Sequence, residues 1–151
     1  MAVVIKPLTE ELLHKEWKSF LHSLLSLKWD ENMSQDAVLK IFHENHGRET
    51  CFVAIDTDTS EIVGSVRALL DHKYIRGGAL AGRIEDIALS ESHQGQWIWS
   101  LLIKKTMEYF WEKWCYKVTL ACDEKLVGFY EKFGFTSQEI EMKMYLPINP
   151  L

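Results

Sequence analysis

Long apolar runs are missing from this 151-residue chain. Nothing in it approaches the roughly 20 residues needed to cross a bilayer, so no membrane span or membrane partner is expected. An excess of positive charge is missing too. Lys and Arg number 17 against 22 Asp and Glu, for a net charge of −5 and a pI near 5.7. Nucleic-acid binding therefore lacks its electrostatic basis. Cysteine is scarce. Cys51, Cys115 and Cys122 form no CxxC pair, and an odd count without a framework points to reduced thiols in the cytoplasm. The opening Met1–Pro7 shows no basic region followed by a long apolar stretch, so no signal peptide is expected. Neither a Gly-x-Ser-x-Gly elbow nor a GxxxxGK phosphate loop occurs. His43 and His46 have no third ligand in view, so no metal site is expected; a solvated pair at a helix end is the plain reading.

What is present is an ordinary globular composition, 47% hydrophobic and 26% charged, long enough for one domain over residues 1–151. Six tryptophans are many for this length, and suit core, interface or ligand platforms alike. Val3 to Lys6 reads as a strand stopped by Pro7. Thr9 is placed to cap a helix whose first turn carries Glu10 and Glu11, and whose apolar face is Leu13, Trp17, Phe20, Leu21, Leu24 and Leu25. Ser34 is placed to cap a second helix carrying Val38, Ile41 and Phe42, ending near Gly47. Cys51–Ile55 and Ile62–Leu70 read as a hairpin turned at residues 56–60. Asp71 to Ala81 reads as a loop with Lys73 and Arg76 exposed. Ile84–Leu89 and Lys117–Ala121 read as strands around a long helix. Asp123 is placed to cap a short helix through Phe133, with Gly134 at its left-handed end. A last strand is expected from Phe135, including Ile140 to Leu146. This order gives an α/β fold (α+β, mixed sheet) with helices packed on the sheet.

The stretch from Arg83 to Phe110 is the centre of the reading. Ile84-Glu85-Asp86-Ile87-Ala88-Leu89 is a strand, Ser90–Gln96 a polar turn, and Trp97 onward a helix. A strand feeding a helix start favours an anion there, because the first amides are unpaired and the helix dipole adds positive potential. Two carboxylates, Glu85 and Asp86, stand just upstream. Neighbours on a strand face opposite ways, so only one of them points at a given substrate atom.

These residues carry a resemblance. Ile84-Glu85-Asp86-Ile87, His93-Gln94-Gly95-Gln96 before a Leu-Leu-Ile helix, Cys115-Tyr116-Lys117, Cys122-Asp123-Glu124-Lys125 and Phe129-Tyr130-Glu131-Lys132-Phe133-Gly134-Phe135 resemble the GCN5-related N-acetyltransferases. They are most similar to the branch of eukaryotic glucosamine 6-phosphate N-acetyltransferases. Together they run from about Gly64 to Met144, more than half the chain. The resemblance implies a central mixed, mostly antiparallel twisted sheet flanked by about four helices. It implies acetyl-CoA as donor, and the amine of glucosamine 6-phosphate as acceptor. The product would be N-acetylglucosamine 6-phosphate, for UDP-N-acetylglucosamine synthesis. It also implies a homodimer with acceptor sites near the subunit interface.

Site roles come from the same resemblance. Ile87, Ala88 and Leu89 would pair with the pantetheine arm. The turn Gln94, Gly95, Gln96, Trp97, Ile98, Trp99 and Ser100 would hold the pyrophosphate. Glu85 or Asp86 would position or deprotonate the amine, and Tyr130 would protonate the leaving sulfur. Lys73, Tyr74, Ile75 and Arg76 match the sugar-phosphate loop. The chain departs from the pattern at several points. Trp97 and Trp99 replace the two small residues of the turn. Side chains in a first turn point outward, which would let the indoles swing away from the phosphates; the alternative is that they fill a core or an interface. Trp29, Ala121, Leu126 and Tyr145 stand at altered acceptor or cofactor positions, and no Arg occurs after Arg83, leaving Lys143 as the nearest stand-in. These changes keep two other functions open: acetylation of a different small amine, or a CoA-binding regulatory protein without turnover.

Overall fold

A computed structural model describes residues 2–27 and 32–148. The chain divides into two compact units, Met1–Leu120 and Ala121–Leu151. The first unit holds a five-stranded sheet in chain order: β1 (Val3–Pro7), β2 (Glu49–Asp56), β3 (Ile62–His72), β4 (Leu80–Leu89) and β5 (Val118–Thr119). The first four strands are antiparallel to their neighbours, and β5 runs parallel to β4. Among the described residues of this unit, the α-helices are α1 (Glu10–Ser23), α2 (Gln35–Glu44) and α3 (Gln96–Glu112).

Local chemistry sets the helix starts. Thr9 Oγ1 accepts the Leu12 amide at 3.2 Å, and Ser34 Oγ accepts the Ala37 amide at 3.1 Å. Each satisfies one of the unpaired donors of a first turn. Strand alternation then divides the core. Val53 joins Leu13, Val38, Leu39 and Ile62 in a cluster with α1 and α2. Its neighbour Phe52 points the other way and meets Tyr109 of α3 edge-on, at 5.6 Å between ring centroids. Helices thus cover both faces of the sheet. Ile98, Leu102, Ile103 and Phe110 bury the inner face of α3 almost completely.

The second unit is small. A 3-10 turn (Glu124–Leu126) leads into α4 (Val127–Glu131). The expected cap from Asp123 does not form: its side chain makes no capping hydrogen bond, and a 3-10 turn replaces the first α turn. Gly134 takes φ +96°, the left-handed position expected after the helix. The last expected strand is absent among the described residues. Ile140, Met142 and Met144 alternate with polar residues, but each is more than 80% exposed. A strand exists only when another edge completes its ladder, and alternation alone supplies none. β5 is also shorter than expected, two residues rather than five, because it meets β4 only at Gly82 and Arg83. The β3–β4 connection is shorter than expected for the opposite reason. Pairing continues to His72↔Leu80, so the loop is residues 73–79. The altered position Trp29 lies outside the described residues.

Candidate active site

β4 does not run straight past β3. The register Arg67↔Glu85 gives way to Ser65↔Ala88, so Val66 faces both Asp86 and Ile87. This is a β-bulge, and Asp86 within it takes φ +49°. Asp tolerates that left-handed region better than most residues. Two glycines let the strand lie this closely. A Cβ on Gly64 would stand 2.4 Å from Leu89 Cδ2, and one on Gly82 would stand 2.6–2.8 Å from the Phe110 ring.

The bulge changes how the paired carboxylates stand. Strict alternation lapses, and each acid finds its own arginine. Glu85 accepts a charge-assisted hydrogen bond from Arg83 Nε, while Arg83 Nη1 reaches Thr119 Oγ1 at 3.4 Å. Asp86 Oδ2 accepts from Arg67 Nη1 at 2.9 Å. The same guanidinium grips Glu49 on β2 through Nε at 2.8 Å and Nη2 at 2.6 Å. Arg67 thus ties three strands together. Burial opposes its charge, but Glu49 and Asp86 outweigh that and hold the guanidinium further into its charged range. Cys51 stands opposite Arg67 in the ladder, and burial, with Glu49 adding to it, pushes its thiol up to about 12. Sequence reasoning passed over Arg67. The available signal was a lone arginine in the buried strand Ile-Val-Gly-Ser-Val-Arg-Ala-Leu-Leu, which demands acidic partners.

The other edge of β4 is unpaired by any strand beyond Arg83, where β5 leaves it, among the described residues. Backbone groups on that edge can take an extended ligand arm. The strand ends in a 3-10 turn, Glu91–His93, and Gln94 braces the entry to α3 by donating its amide to the Leu89 carbonyl at 2.8 Å. Gly95 then precedes α3, whose first turn carries no acidic residue. Its leading amides suit an anion. Ile98 is fully buried, Trp99 and Ser100 are half-buried, and Gln96 opens the helix. Trp97 neither swings clear nor enters the core. It is 49% exposed, and its indole lies back against Gly95, where an added Cβ would stand 3.4 Å from Trp97 Cδ1.

In the loop before β4, Lys73 is half-buried rather than exposed, because Asp71 Oδ2 holds its Nζ at 2.5 Å and raises its pKa. Tyr74, Ile75 and Arg76 are exposed. Arg76 takes φ +51° and stacks its guanidinium on Tyr116, 4.8 Å from the ring centroid. Gly77 and Gly78 come next at φ +67° and +81°, which glycine adopts without strain. Tyr130 belongs to the second unit. It is buried there, edge-on to Phe129 at 5.1 Å and to Phe135 at 6.0 Å. In that unit Leu126 is half-buried, and Ala121 and Tyr145 are exposed. On α2, His43 Nε2 meets Glu10 at 3.1 Å. Among the described residues no group of three or more His, Cys, Asp or Glu side chains is arranged to hold a metal ion.

Residues 9–135 match the model of the acetyltransferase (GNAT) family. The chain belongs to the GNAT acetyltransferases. Among curated GNAT relatives, the chain is 40% identical over 88 residues to the glucosamine 6-phosphate N-acetyltransferase of Trypanosoma brucei brucei, covering 58% of this chain and 60% of that one. It is 29% identical over 122 residues to a probable glucosamine 6-phosphate N-acetyltransferase of Drosophila melanogaster, covering 80% of this chain and 56% of that one. The chain thus spans little more than half the length of these two relatives. A crystal structure of a Trypanosoma brucei acetyltransferase superposes with a TM-score of 0.87 at 30% identity, covering 96% of this chain and all of that one.

GNAT enzymes use acetyl-CoA as their acetyl donor, and the residues present fit it. The edge of β4 beyond Arg83 and the α3 amides are suited to an extended arm and a pyrophosphate. Trp97, half-exposed against Gly95, narrows the approach to those amides.

Proposed function

We propose that this GNAT acetyltransferase transfers the acetyl group of acetyl-CoA to the amine of glucosamine 6-phosphate, giving N-acetylglucosamine 6-phosphate for UDP-N-acetylglucosamine synthesis. The observation that carries the reading is the β4 bulge, with two arginine-held carboxylates beside a strand edge unpaired among the described residues. The 40% identity to a relative of that name supports the acceptor. The donor supplies an activated thioester, and this chain's residues do the rest. Backbone groups of Ile87, Ala88 and Leu89 hold the arm and the thioester carbonyl. Gln94, Gly95, Gln96, Trp97, Ile98, Trp99 and Ser100 form the pyrophosphate turn.

An amine attacks only when neutral. Asp86 or Glu85 takes its proton, directly or through one water. The arginine contacts fix each carboxylate in direction, which is what a positioned base requires. Asp86 is the stronger candidate, since it is more exposed than Glu85 and sits on the bulge. Tyr130 is assigned the proton donated to the departing sulfur, because a phenol near pKa 10 is matched to a thiolate. Lys73, Tyr74, Ile75 and Arg76 are assigned to the sugar phosphate; the two cations suit an anionic ester. The family match runs through the boundary at Leu120, which supports one acetyltransferase domain built from both units. The bare side chains of Tyr74 and Ile75 support a homodimer that covers them. Free Cys51, Cys115 and Cys122 support a cytoplasmic setting. Incubating the protein with acetyl-CoA and glucosamine 6-phosphate tests the function through release of free thiol. No release above background at saturating substrates would overturn it.

A further inference from the structure

One buried polar cluster takes no part in the chemistry above. Asp56 ends β2, and its side chain is 8% exposed; His93 ends the 3-10 turn, and its side chain is 14% exposed. His93 Nε2 lies 3.0 Å from Asp56 Oδ2. The other ring nitrogen, Nδ1, meets Ser92 Oγ at 2.8 Å and Ser90 Oγ at 3.1 Å. Asp56 Oδ1 accepts the Asp58 amide at 2.8 Å, so one carboxylate orders the β2–β3 turn and the imidazole together. Ser90 is itself anchored, its amide donating to the Val63 carbonyl at 2.8 Å.

The proton on Nε2 faces the carboxylate, and either hydroxyl rotates to serve Nδ1. Such a cluster is costly to bury and gains little stability against an apolar replacement. Its place in the chain gives it a use. His93 directly precedes Gln94 and Gly95, which open α3. Gly95 offers no side-chain cap, so the direction of the first turn is set from upstream. Gln94 braces it to β4, and His93 braces it to the β2–β3 turn, 37 residues away in sequence.

We propose that His93, clamped by Asp56, is a positioning residue that fixes the Gln94–Gly95 turn for the pyrophosphate of acetyl-CoA. This rests on the donor reading above. The test compares the wild type with Asp56→Ser and His93→Leu, using acetyl-CoA and S-acetyl-pantetheine, which has the thioester arm but no pyrophosphate. Calorimetry with CoA supplies a readout apart from turnover. Both variants should weaken CoA binding and raise the KM for acetyl-CoA about tenfold, with kcat and the kcat/KM for S-acetyl-pantetheine held within about twofold. The shorter serine hydroxyl of Asp56→Ser keeps an acceptor for the Asp58 amide without reaching His93, and His93→Leu leaves that turn's own bond in place, so one variant carries the test if the other does not fold. Equal losses with both donors would show a merely structural role and overturn the clamp. So would an unchanged dissociation constant for CoA in a wild type that binds it. A wild type that binds no CoA would overturn the donor reading and the clamp together.

Discussion

Replacing Arg67 with methionine removes a guanidinium that joins β2, β3 and the bulge of β4. The side chains of Glu49 and Arg67 are 11% and 33% exposed, so the substitution strands a nearly buried carboxylate. Leaving such a charge unpaired costs about 2–3 kcal/mol. The contact to Asp86 is half in solvent, and its loss adds no more than about 1 kcal/mol. A total near 3 kcal/mol corresponds to a fall in melting temperature of roughly 6–12 °C for a chain of this size. Activity should fall further than stability suggests. Asp86 keeps its left-handed backbone but loses its lateral hold, and kcat should drop about 10–100-fold at saturating substrates. The double substitution Glu49→Gln with Arg67→Met separates the two effects. With the stranded charge gone, about 2 kcal/mol of stability should return, while kcat stays low. Thermal melts and thiol release from acetyl-CoA read both quantities. If the double variant regains wild-type kcat, Arg67 merely neutralises Glu49, and its role in placing Asp86 is refuted.

Other residues give further tests. Trp97→Ala should lower the KM for acetyl-CoA severalfold with little change in stability, because the indole lies half-exposed over Gly95; a higher KM would mean that the indole grips the donor. Gly82→Ala should destabilise by about 1–3 kcal/mol in urea unfolding, since its methyl would stand 2.6–2.8 Å from the Phe110 ring; an unchanged midpoint would contradict that packing. Hydrogen bonds from His93 and the Asp58 amide hold Asp56 below its ordinary carboxylate value of 3.8. Its contribution to stability is therefore complete above that value and lost as pH falls through the lower folded value. Asp56→Asn should flatten this acid-side decline in melting temperature, and an identical profile would remove Asp56 from it.

The parts of the fold legible in the sequence were those decided locally. Thr9 and Ser34 cap their helices because a side-chain oxygen needs only an amide three residues on. The strand, turn and helix around Gln94 were legible for the same reason. The bulge was not, because it depends on the register between β3 and β4, which no local pattern states. Missing the bulge meant missing Arg67, whose partners Glu49 and Asp86 lie 18 and 19 residues away. The expected strand at Ile140–Leu146 failed in the reverse sense: its alternation was real, but among the described residues no edge pairs with it. Trp97 was visible as a departure, yet its direction depends on the space above Gly95 and could not be read from spacing.

The most direct measurement is thiol release from acetyl-CoA with glucosamine 6-phosphate as acceptor, coupled to identification of the sugar product. One thiol should appear per N-acetylglucosamine 6-phosphate formed, with turnover sharply reduced in Arg67→Met. Binding of CoA without any release in the presence of glucosamine 6-phosphate would contradict the proposed transfer.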